Sequence, residues 1–189
     1  MTPEGENDHG RLFVISGPSG SGKTTIVRRL ICLPGIFYSV SLTSRAPRPG
    51  EVEGHDYRFV CREELEKMAA GEELVEQAEV AGNLYGTPRR PLEQALSEGK
   101  TVLVDIDVQG AMQIKRAFPR ACLVFIKPPD LDTLEKRLRA RGTDSAEAIQ
   151  RRLRLAESEM EYMTDYDVVV ENDDLDGAVA QVEALLKGM

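Results

Sequence analysis

The sequence predicts an α/β fold: a parallel sheet core with helices on both faces, carrying a small α+β insertion. Three observations predict it. Four short apolar runs, RLFVISG at 11–17, TVLVDID at 101–107, ACLVFIKPP at 121–129 and DVVVEN at 167–172, read as strands buried on both faces. Segments with helical spacing alternate with these runs, and crossover helices on a parallel sheet are the economical way to join them. The block from 37 to 98 breaks that rhythm with short alternating stretches and many turn residues.

Each element has its own signal. The opening MTPEGENDHG is polar, with neither a basic start nor an apolar stretch, so it reads as a frayed tail and not as a signal peptide. From Thr24, the residues Ile26, Val27, Leu30 and Ile31 recur at helical spacing, and Pro34 and Gly35 close the helix. Residues 36–60 read as small strands joined by turns at Pro47, Pro49, Gly50 and Gly54. A short helix over 62–70 keeps Leu65, Met68 and Ala69 on one side; a strand over 73–80 follows, then the turn-rich GNLYGTP. Leu92, Ala95 and Leu96 share a helix face over 89–98, with Gly99 as the stop. Leu131, Leu134 and Leu138, then Ile149, Leu153, Ala156, Met160 and Met163 beyond the Gly142 break, trace amphipathic helices. Leu175, Val179, Val182 and Leu186 line a closing helix.

Composition narrows the function classes. With 189 residues, 41% hydrophobic and 30% charged, the chain reads as a soluble globule. No apolar run approaches the ~20 residues of a membrane span. Three widely spaced cysteines, Cys32, Cys61 and Cys122, give no disulfide framework and point to a reducing cytoplasm. With two histidines, neither beside a cysteine, a zinc site has little to build on. The net charge of −8 disfavours nucleic acid as a partner. Residues 131–160 depart from the acidic shell, with seven Lys and Arg against six acids. That distribution suits a small anionic ligand.

The strongest motif is Gly17-Pro18-Ser19-Gly20-Ser21-Gly22-Lys23-Thr24, a complete GxxxxGK[ST] between a strand and a helix. Such a loop curls so that successive N–H groups point at phosphate oxygens, and the helix that follows adds a favourable dipole. Lys23 reaches the β and γ phosphates, and the Thr24 hydroxyl suits Mg²⁺. Nucleoside triphosphate binding and a P-loop nucleoside triphosphate hydrolase fold follow. Asp105 and Asp107, two apart in an apolar strand, are expected to face one site at its C-terminal end, where one holds Mg²⁺ directly or through water.

A second anion site is expected in the insertion. Arg45 and Arg48, with Tyr57 nearby, can grip a monophosphate and hold it in line with the γ phosphate; the lesser alternative is a pair of ordinary surface arginines. A carboxylate would accept guanine N1–H and the N2 amino group together and repel adenine N1. Glu76 can play that part, with Ser41 and Thr87 donating to O6, but spacing alone does not select it from its acidic neighbours.

Beyond the residues themselves, the chain resembles the guanylate kinases of the bacterial cytoplasmic type. The resemblance runs from about residue 11 to the C-terminus through ISGPSGSGKTT, SVSLTSRAPRPGEVEGHDYRFV, EVAGNLYGT, VLVDIDVQGA, FIKPP, RLRARGTDS, IQRRL and YDVVVEND. It implies transfer of the γ phosphate of ATP to GMP or dGMP with Mg²⁺. The implied organisation is a flexible tail at 1–10, core at 11–40, a GMP-binding insertion at 41–98, core at 99–130, a helical lid at 131–160 and core at 161–189. By the same resemblance, Ser41, Glu76 and Thr87 read guanine, with Asp105 helping at the N2 side. Arg45, Arg48, Tyr57 and Tyr85 meet the GMP phosphate, and Glu51 supports the arginines. Asp107 stands near Mg²⁺ with Thr24, and Thr25 continues the ATP loop. Arg137, Arg141 and Arg152 approach the transferring group, and Asn172 lies on the adenine side.

The departures from the family pattern are Leu84 where an aromatic is common, Ser44 for threonine, Thr24 for serine and Pro88 after Thr87; none removes a needed group. The attacking GMP oxygen is largely ionised near neutral pH, so no general base and no covalent enzyme intermediate are expected. Rival readings are a kinase for another nucleoside monophosphate, a non-catalytic module of the same fold, and a generic P-loop ATPase or GTPase. The sequence leaves the oligomeric state open.

Overall fold

The computed structural model of the protein describes residues 10–140 and 145–188. Five parallel strands form the core sheet in the order β2-β7-β1-β8-β9: β1 Arg11–Ser16, β2 Ile36–Tyr38, β7 Thr101–Asp105, β8 Cys122–Lys127 and β9 Val168–Glu171. The register sets Val14 between Val104 on β7 and Leu123 on β8. Because side chains alternate across a strand, the apolar runs of β1, β7 and β8 serve two cores. By contrast β9, at the sheet edge, buries Val170 on one side and leaves Val169 41% exposed on the other, against the expectation of burial on both faces. Leu12, Val14, Val102, Val104, Leu123 and Phe125 face one way, under α3 (Arg89–Ser97) and α4 (Val108–Ala117). Phe13, Ile15, Leu103, Val124 and Ile126 face the other, under α1 (Lys23–Leu30) and α7 (Leu175–Gly188). Fully buried side chains such as Phe13 and Phe125 contribute roughly 2–3 kcal/mol each.

A second sheet, in the order β4-β3-β6-β5, comprises β3 Leu42–Thr43, β4 Arg58–Phe59, β5 Leu74–Val80 and β6 Asn83–Pro88. With α2 (Arg62–Ala70) it builds a small core of its own around Leu42, Leu65 and Leu74. The lid consists of α5 (Leu131–Ala140) and α6 (Ala146–Met160), held together by Leu134, Leu138, Ile149 and Ala156. A short 3₁₀ turn, Glu161–Asp165, leads from α6 toward β9. No helix among the described residues is long and apolar enough to cross a membrane.

Three local expectations change. The GNLYGTP segment is largely strand: the turn is Ala81-Gly82 alone, both at positive φ, and Asn83–Pro88 then pairs with β5 and β3. Glycine and proline hide that strand from propensity, yet ladders on both sides impose it. The helix α4 has no counterpart in the sequence reading, although Val108, Ala111 and Ile114 are buried at helical spacing. Finally, α3, expected within the insertion at 41–98, packs on the core sheet through Leu92 and Ala95, while Ile36–Tyr38 pairs with β7 inside the stretch expected as core.

Candidate active site

The strand β1 delivers Ser16 to a loop that turns at once into α1, so Gly17–Gly22 crosses the carboxyl end of the sheet. Gly22 sits at φ 92°, and a Cβ there would lie 2.1 Å from Asn172 Nδ2. The loop is braced from behind. Asn172, buried, donates Nδ2 to the Ser21 carbonyl at 2.6 Å, and Arg137 donates to the Asn172 carbonyl at 2.9 Å and to that of Ser21 at 3.5 Å. Arg152 reaches Ser19 Oγ at 2.9 Å, and Leu134 and Leu138 pack on Gly20. Asn172 thereby braces the loop through its Nδ2. Arg141 lies outside the described residues.

Lys23, in the first turn of α1, places Nζ 2.9 Å from the Asp105 carboxylate and donates to the Ile106 carbonyl at 3.0 Å. Burial alone would lower its pKa, but the neighbouring Asp105 outweighs burial and holds it above the ordinary lysine value. Thr24 and Thr25 are exposed beside it on the cavity wall.

Asp105 and Asp107 do not share a strand face as expected. The strand β7 stops at Asp105, and Asp107 is the N-cap of α4, its Oδ1 accepting from Gly110 N at 2.8 Å. A short carboxylate satisfies an orphan helix N–H better than it continues a buried strand, so the chain turns there. Both side chains still border the same cavity.

Among the described residues no group of three or more His, Cys, Asp or Glu is placed to hold a metal by itself. Mg²⁺ keeps waters and takes one or two protein oxygens together with substrate phosphates. Thr24 and Asp107 supply hard oxygens of that kind beside the phosphate loop.

The other end of the cavity is built by the second sheet. Glu76 on β5 and Thr87 on β6 are cross-strand partners, and Ser41 adjoins them. Thr87 donates to Glu76 Oε1 at 2.7 Å, which leaves Ser41 as the donor to Thr87 across 3.1 Å. Glu76 is only 3% exposed, and burial pushes its pKa up to about 7. The backbone of α4 comes close: a Cβ on Gly110 would lie 2.6 Å from Glu76 Oε2.

Beside this trio, Arg45 makes a bidentate pair with Glu51 at 2.8 and 2.9 Å and donates to Tyr85 OH at 3.2 Å. Its guanidinium also lies over the Tyr57 ring, 5.4 Å from the centroid. Glu51 donates nothing; its carboxylate also accepts from the Arg48 backbone N–H at 2.7 Å. Burial would raise Glu51, but these hydrogen bonds and the positive charges outweigh it and hold it below the usual carboxylate range. Arg48, Tyr57 and Tyr85 border the cavity.

One cavity of about 240 Å³ thus runs from the phosphate loop to Glu76. Among its walls is Glu159, a residue the sequence reading did not select. It is the third of a face, Arg152-Leu155-Glu159, that α6 turns toward the loop, a spacing legible in the sequence. Burial raises the Glu159 carboxyl to about 7, against the lowering effect of Lys23.

The family model described as guanylate kinase matches residues 9–189. The guanylate kinase of Desulfitobacterium hafniense is 47% identical over 182 residues, covering 96% of this chain and 91% of that protein. That of Gloeobacter violaceus is 52% identical over 177 residues, covering 93% and 86%. The crystal structure of guanylate kinase from Anaplasma phagocytophilum superposes with a TM-score of 0.78 at 34% identity, over 95% of this chain and 86% of that one. A match spanning sheet, insertion and lid at these identities is a match of the whole molecule, and the chain belongs to the guanylate kinase family.

Proposed function

We propose that the protein transfers the γ-phosphoryl group of ATP to GMP or dGMP, giving ADP and GDP or dGDP. The observation that carries this reading is the single cavity with a phosphate loop at one end and the buried Glu76, Thr87 and Ser41 at the other. Ionised, Glu76 accepts N1–H and N2–H of guanine, while the two hydroxyls turn to O6 and Asp105 serves the N2 side. Arg45, Arg48, Tyr57 and Tyr85 hold the acceptor phosphate, with Glu51 fixing Arg45. An oxygen of that phosphate attacks the γ phosphorus as its bond to the β–γ bridging oxygen breaks, and ADP leaves with the electron pair.

Lys23, Arg137, Arg141 and Arg152 neutralise charge on the transferring group, the kind of preorganised stabilisation worth ~2.7–4 kcal/mol per donor. Mg²⁺, when bound, neutralises phosphate charge, and Thr24 and Asp107 are the residues proposed to hold it. The backbone of Gly17–Thr25 cradles the ATP phosphates, and Asn172 supports that cradle. Closure of the lid at 131–160 and the insertion at 41–98 over the core excludes water. The three free thiols suit a cytoplasmic site of action.

The test is ADP formation from ATP and Mg²⁺ with GMP, dGMP, AMP, CMP, UMP or no acceptor, with Lys23→Ala as control. ADP only with GMP and dGMP, matched by GDP or dGDP, supports the proposal. Equal ADP without acceptor would make the protein an ATPase. GMP binding without turnover would make it a non-catalytic module.

A further inference from the structure

A cleft of about 100 Å³ separates α1 from the loop that carries Arg48, Glu51 and Tyr57. Thr24, Arg28 and Ile31, four and three residues apart, form its α1 wall, continuous with the phosphate loop. One ion pair crosses the cleft: Arg28 Nη2 lies 2.7 Å from Asp56 Oδ1. The other Asp56 oxygen accepts from Val52 N at 2.9 Å, so a single carboxylate both shapes the loop and ties it to α1. Burial would raise Asp56, but Arg28, the Val52 amide and His55, 3.9 Å away, outweigh it and hold the carboxyl low. Among the described residues this is the one ion pair between α1 and the 44–57 loop.

The next residue is Tyr57, whose ring packs edge-on against Tyr85 with centroids 5.9 Å apart and lies under Arg45. Moving Asp56 moves Tyr57, and with it the side chains proposed to hold the acceptor phosphate. The helix at the other end of the ion pair begins with Lys23 and Thr24. The Arg28–Asp56 bridge therefore spans from the donor side of the reaction to the acceptor side.

We infer that Asp56, through Arg28, is a positioning residue that sets the acceptor-phosphate loop against the phosphate-loop helix. The inference rests on the proposed GMP kinase reading. Neither side chain is needed to touch a substrate. Arg28 is half exposed and Asp56 mostly buried, 49% and 11%; a pair open to solvent on one side adds little to stability, so its value lies in geometry.

The experiment compares wild type, Arg28→Ala, Arg28→Lys, Asp56→Asn and the Arg28→Ala/Asp56→Asn double variant by steady-state kinetics and thermal unfolding. The expected result is a KM for GMP raised about fivefold in both charge-removing single variants, the size of a ~1 kcal/mol coupling. KM for ATP stays within about twofold and the melting temperature within a few degrees. The double variant is no worse than either single one, and Arg28→Lys recovers most of the loss. Unchanged KM for GMP would overturn the inference. So would a parallel rise in both KM values with lowered melting temperature, the mark of a merely structural brace. If the wild type forms no GDP, the functional reading fails and the inference falls with it.

Discussion

Lys23 Nζ, from the phosphate loop, lies 2.9 Å from the carboxylate of Asp105, proposed to serve the guanine side, so one ion pair joins the two ends of the cavity. Both side chains are largely buried, 17% and 12% exposed. Removing one charge leaves the other without compensation, and Asp105→Ala is expected to destabilise the empty protein by roughly 3 kcal/mol. Lys23→Ala removes the cation proposed to face the transferring phosphate and is expected to lower kcat ~10²–10³-fold. Chemical denaturation checks the first, and steady-state ADP formation the second.

Buried Glu76, proposed to read guanine, is expected to make GMP recognition depend on pH. Its carboxyl is raised to about 7 in the empty site, and the ionised form is the one that accepts two guanine N–H groups. KM for GMP should therefore fall from pH 6 to pH 8 and level off above. GMP's own phosphate titrates near pH 6, so Glu76→Gln is the control: it raises KM and removes the component near 7. Stability has the opposite slope. A carboxyl with a raised native pKa favours folding fully below its unfolded value, and that contribution is lost as pH rises through about 7. At pH 8 the glutamine variant should melt higher than the wild type.

Gly110 offers a way to displace Glu76 without changing it. A methyl group there would stand 2.6 Å from Glu76 Oε2, inside van der Waals contact. Gly110→Ala should raise KM for GMP more than tenfold, about the 1.4 kcal/mol that separates decades of affinity. ATP binding should stay within twofold. Isothermal titration with each nucleotide separately distinguishes this from general damage, which would weaken both.

Asp107 caps α4 and is proposed to hold Mg²⁺, two roles that two substitutions separate. Asp107→Asn keeps an acceptor for the Gly110 N–H and should preserve stability while raising the Mg²⁺ concentration needed for half-maximal activity. Asp107→Ala also removes the helix cap and should cost about 1 kcal/mol of stability. A magnesium titration of activity beside thermal melts of both variants checks the split.

Much of this molecule is legible in one dimension. Three of the four apolar runs, β1, β7 and β8, are buried on both faces and leave no polar alternation to hide them, whereas β9 is an edge strand with Val169 41% exposed. The loop from Gly17 to Thr24 announces its chemistry because phosphate binding is done by backbone N–H groups that only such a spacing exposes. Most residues proposed for the acceptor phosphate are likewise local: Arg45, Arg48, Glu51 and Tyr57 lie within thirteen positions of one another, and only Tyr85 comes from β6.

The rest required three dimensions. Nothing local distinguishes Glu76 from Glu72, Glu73 or Glu79; pairing β5 with β6 sets it opposite Thr87, and α4 buries it, whereas its acidic neighbours stay exposed. Asp107 became a helix cap, and not a second strand carboxylate, because a helix starts where β7 ends. Asn83–Pro88 is a strand by virtue of ladders on either side, against the propensity of its own glycine and proline. Arg28 and Asp56 are 28 residues apart and meet only because the insertion folds back over α1. Sequence determines what short segments do with their own backbone and apolar faces. Burial and charge pairing between distant segments are sums over neighbours that only the tertiary structure supplies, and at this site they decide which of several like carboxylates faces the cavity.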